Sequence, residues 1–286
     1  MMTTIWSGLS VGALYAIGGL LFTLPLVRTG ILNFAQPFLV ILGGYVAVEL
    51  VGHGWPIVGV LVALLALGAL LGGLQEILTV RPTGGRHDSA LVVTLGMGIA
   101  IEGFILATWG PNPKSLEFFG GDEPFSLLGG KLEPVDLWLI GVAIVAAVAL
   151  HYAVGQTRWG MIGRAAMFDG TAAKLRGINI PRMRTLTFAF GGALACAVAL
   201  IAAPKTGITY GGGLHLAVFA FAALSIGGMG SFTGTLFGGL FVGLVEAFAA
   251  RYLGVDWVAV LIFGILCSVL VIRPQGVFGR RELRTV

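Results

Sequence analysis

The stretch PIVGVLVALLALGALLGGLQEILTV, residues 56–80, is the clearest indication of the fold class of this chain. It is apolar or glycine over nearly its whole length, and Glu76 is its only ionisable residue. A helix that crosses the hydrocarbon core of a bilayer needs about 20 such residues. The stretch therefore predicts a membrane-spanning helix.

The composition of the whole chain agrees with that prediction. Of its 286 residues, 57% are hydrophobic and only 10% are charged, and the mean hydropathy is +0.97. A soluble domain carries about 25% charged residues, so this chain has too little charge to cover a water-facing surface. The 46 glycines fit a membrane protein as well, since small residues let membrane helices pack closely.

Eight further segments resemble the first, which gives nine candidate spans: 5–27, 31–51, 56–80, 89–110, 135–154, 185–203, 215–230, 233–252 and 256–273. Two of them are weak, because 31–51 has polar residues and a proline near its start and 215–230 is brief for a full crossing. Either could be broken or re-entrant, which is tolerated where the backbone is buried in protein or lines a cavity. We expect an all-α, polytopic integral membrane protein, with residues 1–286 forming a single transmembrane domain of about eight or nine helices. The first span has no basic region before it and is expected to be retained.

Most of the charges lie in four connecting segments, and the signs of these charges predict the orientation. Loop 81–88 and the segments 155–184 and 273–286 are basic, whereas loop 111–134 is acidic. The basic segments hold Arg81 and Arg86 in the first; Arg158, Arg164, Lys174, Arg176, Arg182 and Arg184 against Asp169 in the second; and Arg273, Arg280, Arg281 and Arg284 against Glu282 in the third. The acidic loop holds Lys114 and Lys131 against Glu117, Asp122, Glu123 and Glu133. Cytoplasmic loops carry the excess of Lys and Arg. The three basic segments and the C-terminus are therefore expected in the cytoplasm, and loop 111–134 and the N-terminus outside. This placement accounts for the net charge of +4 without a nucleic-acid partner.

No pattern of residues indicates catalysis, a metal or a bound nucleotide. Cys196 and Cys267 both lie in apolar runs, where a cysteine acts as a small packing residue. The phosphate-binding pattern G-x-x-x-x-G-K-[ST] is absent, and GGMGSFTG at 227–234 has the wrong spacing for a dinucleotide site and follows no strand. We expect a chain that is not an enzyme and holds no cofactor.

Glycines recur every four residues at Gly230, Gly234 and Gly238. This spacing places them on one helix face, where another backbone can approach closely. They could pack helices within one subunit, or they could form a subunit interface or a moving wall of a solute path. Gly8 with Gly12, and Gly68 with Gly72, show weaker versions of the pattern.

A short similarity within the chain hints at a duplicated core. The segments LTVRPTG, residues 78–84, and LVIRPQG, residues 270–276, each close an apolar run. Duplicated halves are common in transporters. Arg-Pro is also a common stop after a membrane helix, so both interpretations stay open.

Ionisable residues inside spans suggest function, because they are costly in a bilayer. Glu102 lies near the middle of span 89–110, and it is either a pathway residue or an internal hydrogen-bond anchor. Asn33 and Gln36, beside Pro37, could present polar groups to a solute, or they could simply mark a structural break. Other charged residues are nearer span ends, where solvated interfacial positions are expected: Glu49, Glu76, Glu246 and Arg251.

The basic stretch GRAAMFDGTAAKLRGINIPRMR, residues 163–184, has the signals of a short helix. Asp169 or Thr171 is a suitable N-cap residue. Lys174 and Arg176 fall in the last turn, where cations suit the helix dipole. Gly177 follows at the position that favours a left-handed backbone.

The ordered set of motifs along nearly the whole chain resembles the permease subunits of branched-chain amino-acid ABC importers, of the H type. The motifs are GLSVGALYAIGGLLFTL, GILNFAQPFLVILGGYVA, TLGMGIAIEGF, GPNPKS, GRAAMFDGTAAKLRGINIPRMRTLTFAFGGALA, GGMGSFTGTLFGGLFVGLVE and RPQGVFG. The resemblance implies a multi-pass protein of the inner membrane of a bacterium or archaeon. It implies a second permease, usually a different chain, two ATPase subunits that bind ATP and magnesium, and an external solute-binding protein. It also implies alternating access, in which ATP binding in the partners moves the spans.

In this family a cytoplasmic loop holds a coupling helix that docks into a cleft of the ATPase. The resemblance assigns that role to residues 155–184, called the coupling loop below. The corresponding residues are Arg164, Ala165, Ala166, Asp169, Gly170, Ala172, Ala173, Lys174, Leu175, Arg176 and Gly177. Small residues would let the helix enter the cleft, and Arg164, Lys174 and Arg176 could pair with acids of the partner.

The chain departs from the family's pattern at two places on the suspected solute path. After NFA it has Gln36-Pro37-Phe38 where His-Gly-Glu is common, and it has Glu102-Gly103 where a Gln-Asn pair is common. A carboxylate at 102 would favour a cationic group such as an ammonium. The expected solute is a branched-chain or related small amino acid. Alternatives are an ABC permease for amides, urea or small organic acids, and a secondary transporter that uses Glu102 as a proton or cation site.

Overall fold

The computed structural model describes residues 1–84, 86–121, 123–127 and 129–279. Within them the chain forms eleven α-helices: α1 (Met2–Thr29), α2 (Gln36–Gly52), α3 (Ile57–Gln75), α4 (His87–Trp109), α5 (Pro134–Gln156), α6 (Arg158–Phe168), α7 (Gly170–Leu175), α8 (Ile180–Thr206), α9 (Gly212–Gly227), α10 (Phe232–Tyr252) and α11 (Asp256–Ile272). The predicted all-α membrane architecture is confirmed. The residues Asp122, Arg280, Arg281, Glu282 and Arg284, which entered the charge analysis, lie outside the described part.

Among the described residues, six stretches of helix are long and apolar enough to cross a membrane, and three apolar helices are shorter. The short ones are α2, α9 and α11. The weak candidates 31–51 and 215–230 correspond to α2 and α9, so both are short helices. In the first, residues 31–35 are not helical, and Pro37 occupies the first turn of α2, where its missing N–H leaves no bond unmade.

A two-stranded antiparallel hairpin, β1 (Phe125–Leu127) and β2 (Gly130–Leu132), lies in loop 111–134. The sequence analysis did not foresee it, because each strand has only three residues. Gly129 between the strands has φ of +79°, which glycine adopts without a steric penalty.

The chain divides into two compact units, each built from separate segments. The first comprises Met1–Thr23, Glu123–His151 and Val218–Val286, the last segment described to Gly279. Its helices pack through glycine. A methyl group added to Gly239 would lie 2.4 Å from the backbone of Ala16, and one on Gly243 would lie 2.2 Å from the backbone of Gly12. Such contacts let α1 and α10 approach backbone to backbone.

The glycine stripe of α10 lies within this unit. Gly234 and Gly238 meet backbone atoms of Gly227 and Ala223, at 2.4 and 2.2 Å from their added methyl groups. They therefore pack α10 against α9 inside one subunit, which is the first of the two interpretations. The placement of Gly230 on the same face is wrong. It precedes α10, which Ser231 caps, and its φ is +89°.

The second unit comprises Leu24–Asp122 and Tyr152–Ala217. Here α3 and α8 cross at glycines: methyl groups added to Gly68 and Gly72 would lie 2.2 and 2.3 Å from the carbonyl oxygens of Gly192 and Phe188. At Glu76 the α-helical pattern of α3 gives way to one turn of π-helix, Glu76–Val80, and then to a 3-10 turn, Arg81–Thr83.

The two similar segments end in the same turn. The N–H of Gly84 donates to the carbonyl of Arg81 at 3.2 Å, and the N–H of Gly276 donates to that of Arg273 at 2.9 Å. Both glycines have positive φ, of 63° and 79°. The shared turn explains the glycine that both segments have in common, since glycine adopts this conformation readily.

Candidate functional site

The coupling loop, residues 155–184, contains two helices where one was expected. Helix α6 follows α5 after a single residue, Thr157, whose side chain accepts a hydrogen bond from the N–H of Gly160. A methyl group on Gly160 would lie 2.0 Å from the carbonyl oxygen of Val154. Glycine at this position therefore lets α6 fold tightly against the end of α5.

The short helix α7 has the predicted caps. Asp169 is its N-cap residue, and one carboxylate oxygen accepts from the N–H groups of Thr171 and Ala172, each at 2.9 Å. These are among the N–H groups that a helix start leaves without a partner. At the other end Gly177 has φ of +83°, and its N–H donates to the carbonyl of Lys174 at 2.9 Å.

The surface of this loop combines cations with exposed apolar side chains. Phe168 and Leu175, at the ends of α6 and α7, are 96% and 86% exposed. Lys174 and Arg176 are exposed beside Leu175 and form no ion pair within the described part of the chain. Exposed apolar side chains rimmed by charge are typical of a protein–protein contact.

The eleven predicted docking residues do not all belong to that surface. Ala173 is buried and therefore does not belong to the exposed surface of α7. Arg164 donates to the carbonyls of Val154 and Gly155 at 2.6 and 2.9 Å. These carbonyls belong to the last turn of α5, which lacks helical partners. Arg164 therefore caps α5 within this chain, and its pairing with an acid of a partner stays a prediction.

Arg28, which the sequence analysis missed, holds the start of α6. Its side chain is fully buried, its guanidinium carbon lies 3.3 Å from the ring centre of Trp159, and Nη2 donates to the carbonyl of Trp159 at 2.9 Å. A methyl group on Gly163 would lie 2.8 Å from its Nε. The available signal was a lone cation in the last turn of an apolar span.

The suspected path residues at the start of α2 are buried. Asn33 and Gln75 form a reciprocal pair of amide hydrogen bonds, at 3.1 and 2.5 Å, called the Asn33–Gln75 amide pair below. Gln36 is also fully buried, and its amide atoms have no hydrogen-bond partner within the described part of the chain. Pro37 fills the first turn of α2. The start of α2 thus holds one paired and one unpaired amide.

The side chain of Glu102, which belongs to the middle of α4, reaches the start of α9 and does not contact these amides. Its Oε1 accepts from the N–H of Leu214 at 3.3 Å, in the first turn of α9. A carboxylate at a helix N-terminus is stabilised by unpaired N–H groups and the helix dipole. This geometry matches the anchor interpretation. Thr94, buried eight residues earlier on α4, accepts from the N–H of Phe34.

A cavity of about 480 Å³ lies among α2, α3 and α4. Its walls are apolar except for Gln75, and they are formed by Leu39, Leu42, Val46, Leu67, Leu71, Gln75, Met97, Ala100, Ile101, Phe104 and Trp109. The predicted path residues Asn33, Gln36, Pro37 and Glu102 are not on its wall. The Asn33–Gln75 amide pair connects the start of α2 to the cavity.

The glutamates near the span ends differ in burial. Glu49 is exposed, as expected, and its Oε2 lies 3.5 Å from Nζ of Lys114. Glu76 is fully buried, so the prediction of a solvated interfacial position is wrong for it. Arg81 and Arg184 compensate its charge at 3.0 and 3.8 Å, which is what allows a carboxylate to be buried at all.

Comparison with known proteins gives one consistent answer. Residues 4–270 match the model of the family described as branched-chain amino acid transport system / permease component. The chain is 28% identical over 300 residues to the high-affinity branched-chain amino acid transport permease LivH of Escherichia coli K12, covering 99% of this chain and 96% of that one. It is 29% identical over 297 residues to the corresponding protein BraD of Pseudomonas aeruginosa, covering 98% and 96%.

A more distant match concerns a different solute. The chain is 28% identical over 247 residues to the ribose import permease RbsC of Escherichia coli K12, covering 83% of this chain and 74% of that one. No solved structure matches the chain. The common part of these proteins is thus a membrane permease, while their named solutes differ.

Proposed function

This chain belongs to the branched-chain amino acid transport permease family, and on that premise we propose that it is the membrane-spanning subunit of an ATP-driven importer. It is a multi-pass membrane protein of a transport family and not an enzyme. In this proposal the chain forms part of the solute path, and ATP is hydrolysed in separate subunits.

The observation that carries the proposal is the exposed end of the coupling loop. Phe168 and Leu175 lie exposed on helices that are firmly held by a cap, a glycine and a buried arginine. Fixed helices with an exposed apolar tip suit a docking contact, because little conformational entropy is lost when they bind. We propose that this tip inserts into a cleft of an ATPase subunit.

The proposed assembly follows the family. It contains this chain, a second and different permease chain, two ATPase subunits that hold ATP and magnesium, and an external solute-binding protein. Residues 1–286 form the single transmembrane domain, with the coupling loop in the cytoplasm and loop 111–134 outside. The excess of Lys and Arg in the coupling loop supports this orientation.

The proposed solute is a branched-chain or related small amino acid. The amino-acid permeases among the relatives match almost the entire chain, whereas the ribose permease matches less of it. Amides, urea, small organic acids and ribose are therefore the competing solutes in the test. The proposed path runs past the start of α2, with Asn33 and Gln36.

The test is reconstitution of the co-expressed complex in vesicles. We expect the chain to copurify with two ATPase subunits and a second permease, and we expect leucine uptake only when ATP and the binding protein are present. Competition by valine, isoleucine, acetamide, urea and ribose then ranks the solutes. A chain that purifies alone and accumulates solute without ATP would rule the proposal out.

Two variants test the docking role directly. A methyl group on Gly170 would lie 3.5 Å from its nearest neighbour, Ile180, and Arg176 is exposed. Gly170→Trp and Arg176→Glu should therefore leave the fold intact and abolish ATP-driven uptake. Gly141→Trp, at an open position on α5, is the matched control and should transport normally. Normal uptake by both loop variants would remove the docking role.

A further inference from the structure

Glu76 lies between the coupling loop and the Asn33–Gln75 amide pair. It is the first residue of the π-helical turn that continues α3, and its side chain is only 1% exposed. Burial of a carboxylate in a membrane protein is costly, and such residues usually have a functional role. A π-helical turn is also a frequent feature of functional sites.

The partners of Glu76 come from two parts of the chain. Nη2 of Arg81 donates to its Oε2 at 3.0 Å, and the hydroxyl of Thr185 lies 2.7 Å from the same atom. Thr185 and Arg184 belong to the first turns of α8, which follows α7 after the four residues 176–179, the last of which, Asn179, is its N-cap. A displacement of α7 therefore moves the groups that hold Glu76.

One contact of this cluster is incomplete. Nε of Arg184 lies 3.8 Å from Oε1 of Glu76, and both atoms are buried without a hydrogen-bond partner within the described part of the chain. A charged hydrogen bond of this kind has a length of about 2.8 Å. A shift of about 1 Å of the start of α8 would close the contact. Closure would give the pair a second arrangement that differs from the open one in the structure.

The neighbour of Glu76 in the chain, Gln75, contacts the start of α2 and the cavity. Gln75 precedes Glu76, forms the amide pair with Asn33 before α2, and lies on the wall of the 480 Å³ cavity. About two turns before Glu76, α3 is held against α8 at Gly68 and Gly192, where no side chain separates the two backbones. The helices cannot slide freely there, so a movement of α8 acts on α3 through its π-helical end.

We propose that Glu76 is the positioning residue that transmits movement of the coupling loop to the Asn33–Gln75 amide pair and the cavity beside it. This inference rests on the proposed function. The Arg184–Glu76 contact closes in one state of the transport cycle and opens in the other. The two states then differ in a defined contact, which is the requirement for coupling between two sites.

The first test compares uptake with ATP hydrolysis in the complete reconstituted importer, with leucine as the probe. Glu76→Gln keeps the size of the side chain and an acceptor for Thr185 but removes the charge. We expect leucine transported per ATP hydrolysed to fall at least tenfold, while ATP hydrolysis without solute stays within twofold. Arg184→Gln should give the same loss, and the double variant no further loss, because the two groups act as one unit.

The matched control is Glu49→Gln, which removes an exposed ion pair with Lys114 in the same unit and should keep the ratio unchanged. A merely structural role of Glu76 would lower the yield of complex but leave the ratio intact, and that result would overturn the inference. If Glu76→Gln does not assemble, Thr185→Val removes the hydroxyl that donates to Glu76 and accepts from Nη2 of Arg81, and the same ratio decides the question.

A second measurement needs no solute. A cysteine introduced as Leu71→Cys lies on the cavity wall one helical turn before Gln75. Its rate of labelling by a maleimide should differ between the ATP-bound and nucleotide-free complex, and Glu76→Gln should reduce that difference at least fivefold. An unchanged difference would overturn the inference. Absence of ATP-driven transport in the unmodified complex, by contrast, counts against the proposed function.

Discussion

Replacement of Phe168 by serine is the most direct perturbation of the proposed docking surface. The ring is 96% exposed at the end of α6, so in the isolated chain it contributes almost nothing to packing. Burial of a phenylalanine side chain stabilises a complex by about 1.5–3 kcal/mol. If Phe168 enters a cleft of the ATPase, Phe168→Ser should lose most of that energy.

The expected loss corresponds to a change in affinity that is easily measured. About 1.5–3 kcal/mol corresponds to roughly 10- to 140-fold in the dissociation constant. The assay is titration of the purified permease pair in lipid nanodiscs with the ATPase subunit. The thermal unfolding midpoint of the variant should stay within about 1 °C of the original, since a change well under 0.5 kcal/mol shifts it little.

The control is an equally apolar side chain at another exposed position. Val255, between α10 and α11, is 77% exposed, and Val255→Ser should leave the affinity for the ATPase unchanged. Equal affinities of Phe168→Ser and the original chain would refute the assignment of this tip to the docking contact. Equal losses in both variants would show a general effect of surface hydrophobicity instead.

Three further predictions concern the stability of the fold around this surface. Gly192→Ala should lower the unfolding midpoint in detergent, by an overpacking cost of about 1–3 kcal/mol, because the added methyl group would lie 2.2 Å from a backbone oxygen; Gly141→Ala, with open space around it, should not. Arg28→Met should raise the hydrogen-exchange rates of the hydrogen-bonded amides of α6, from Met161 onward, at least tenfold, since it removes both the ring contact and the hydrogen bond to Trp159; unchanged rates would show that α6 is held elsewhere. Asp169→Ala should destabilise α7 by about 1 kcal/mol, seen as faster exchange of its first amides and weaker ATPase binding, whereas Asp169→Asn should largely preserve both.

The spans were predictable because hydrocarbon imposes a simple rule on the sequence. Each apolar run of sufficient length becomes a helix, since the backbone has no other partner for its polar groups in lipid. The nine predicted segments correspond to nine helices of the described chain, with ends that differ by a few residues. The caps of α7 were predictable for the same local reason, because Asp169 and Gly177 act on neighbouring backbone groups.

The roles of single polar residues were not predictable, because they depend on distant partners. Glu76 was expected to face water, but Arg184, more than one hundred residues later, allows its burial. Glu102 accepts a hydrogen bond from the start of α9, more than one hundred residues later, which its position in a span could not indicate. Gly230 was misplaced because the four-residue spacing of glycines extends past the end of the helix: Gly230 precedes Ser231, the N-cap residue of α10.

The amino-acid sequence alone was enough to predict the membrane environment, the order of the nine apolar helices and the short capped helix α7. These features follow from hydrophobicity and from interactions within a few residues. Only the tertiary structure decided which glycines are contact points, that Arg28 holds α6, and that Arg184 faces Glu76. Those facts depend on which helices meet and at what height, and no local pattern contains that information.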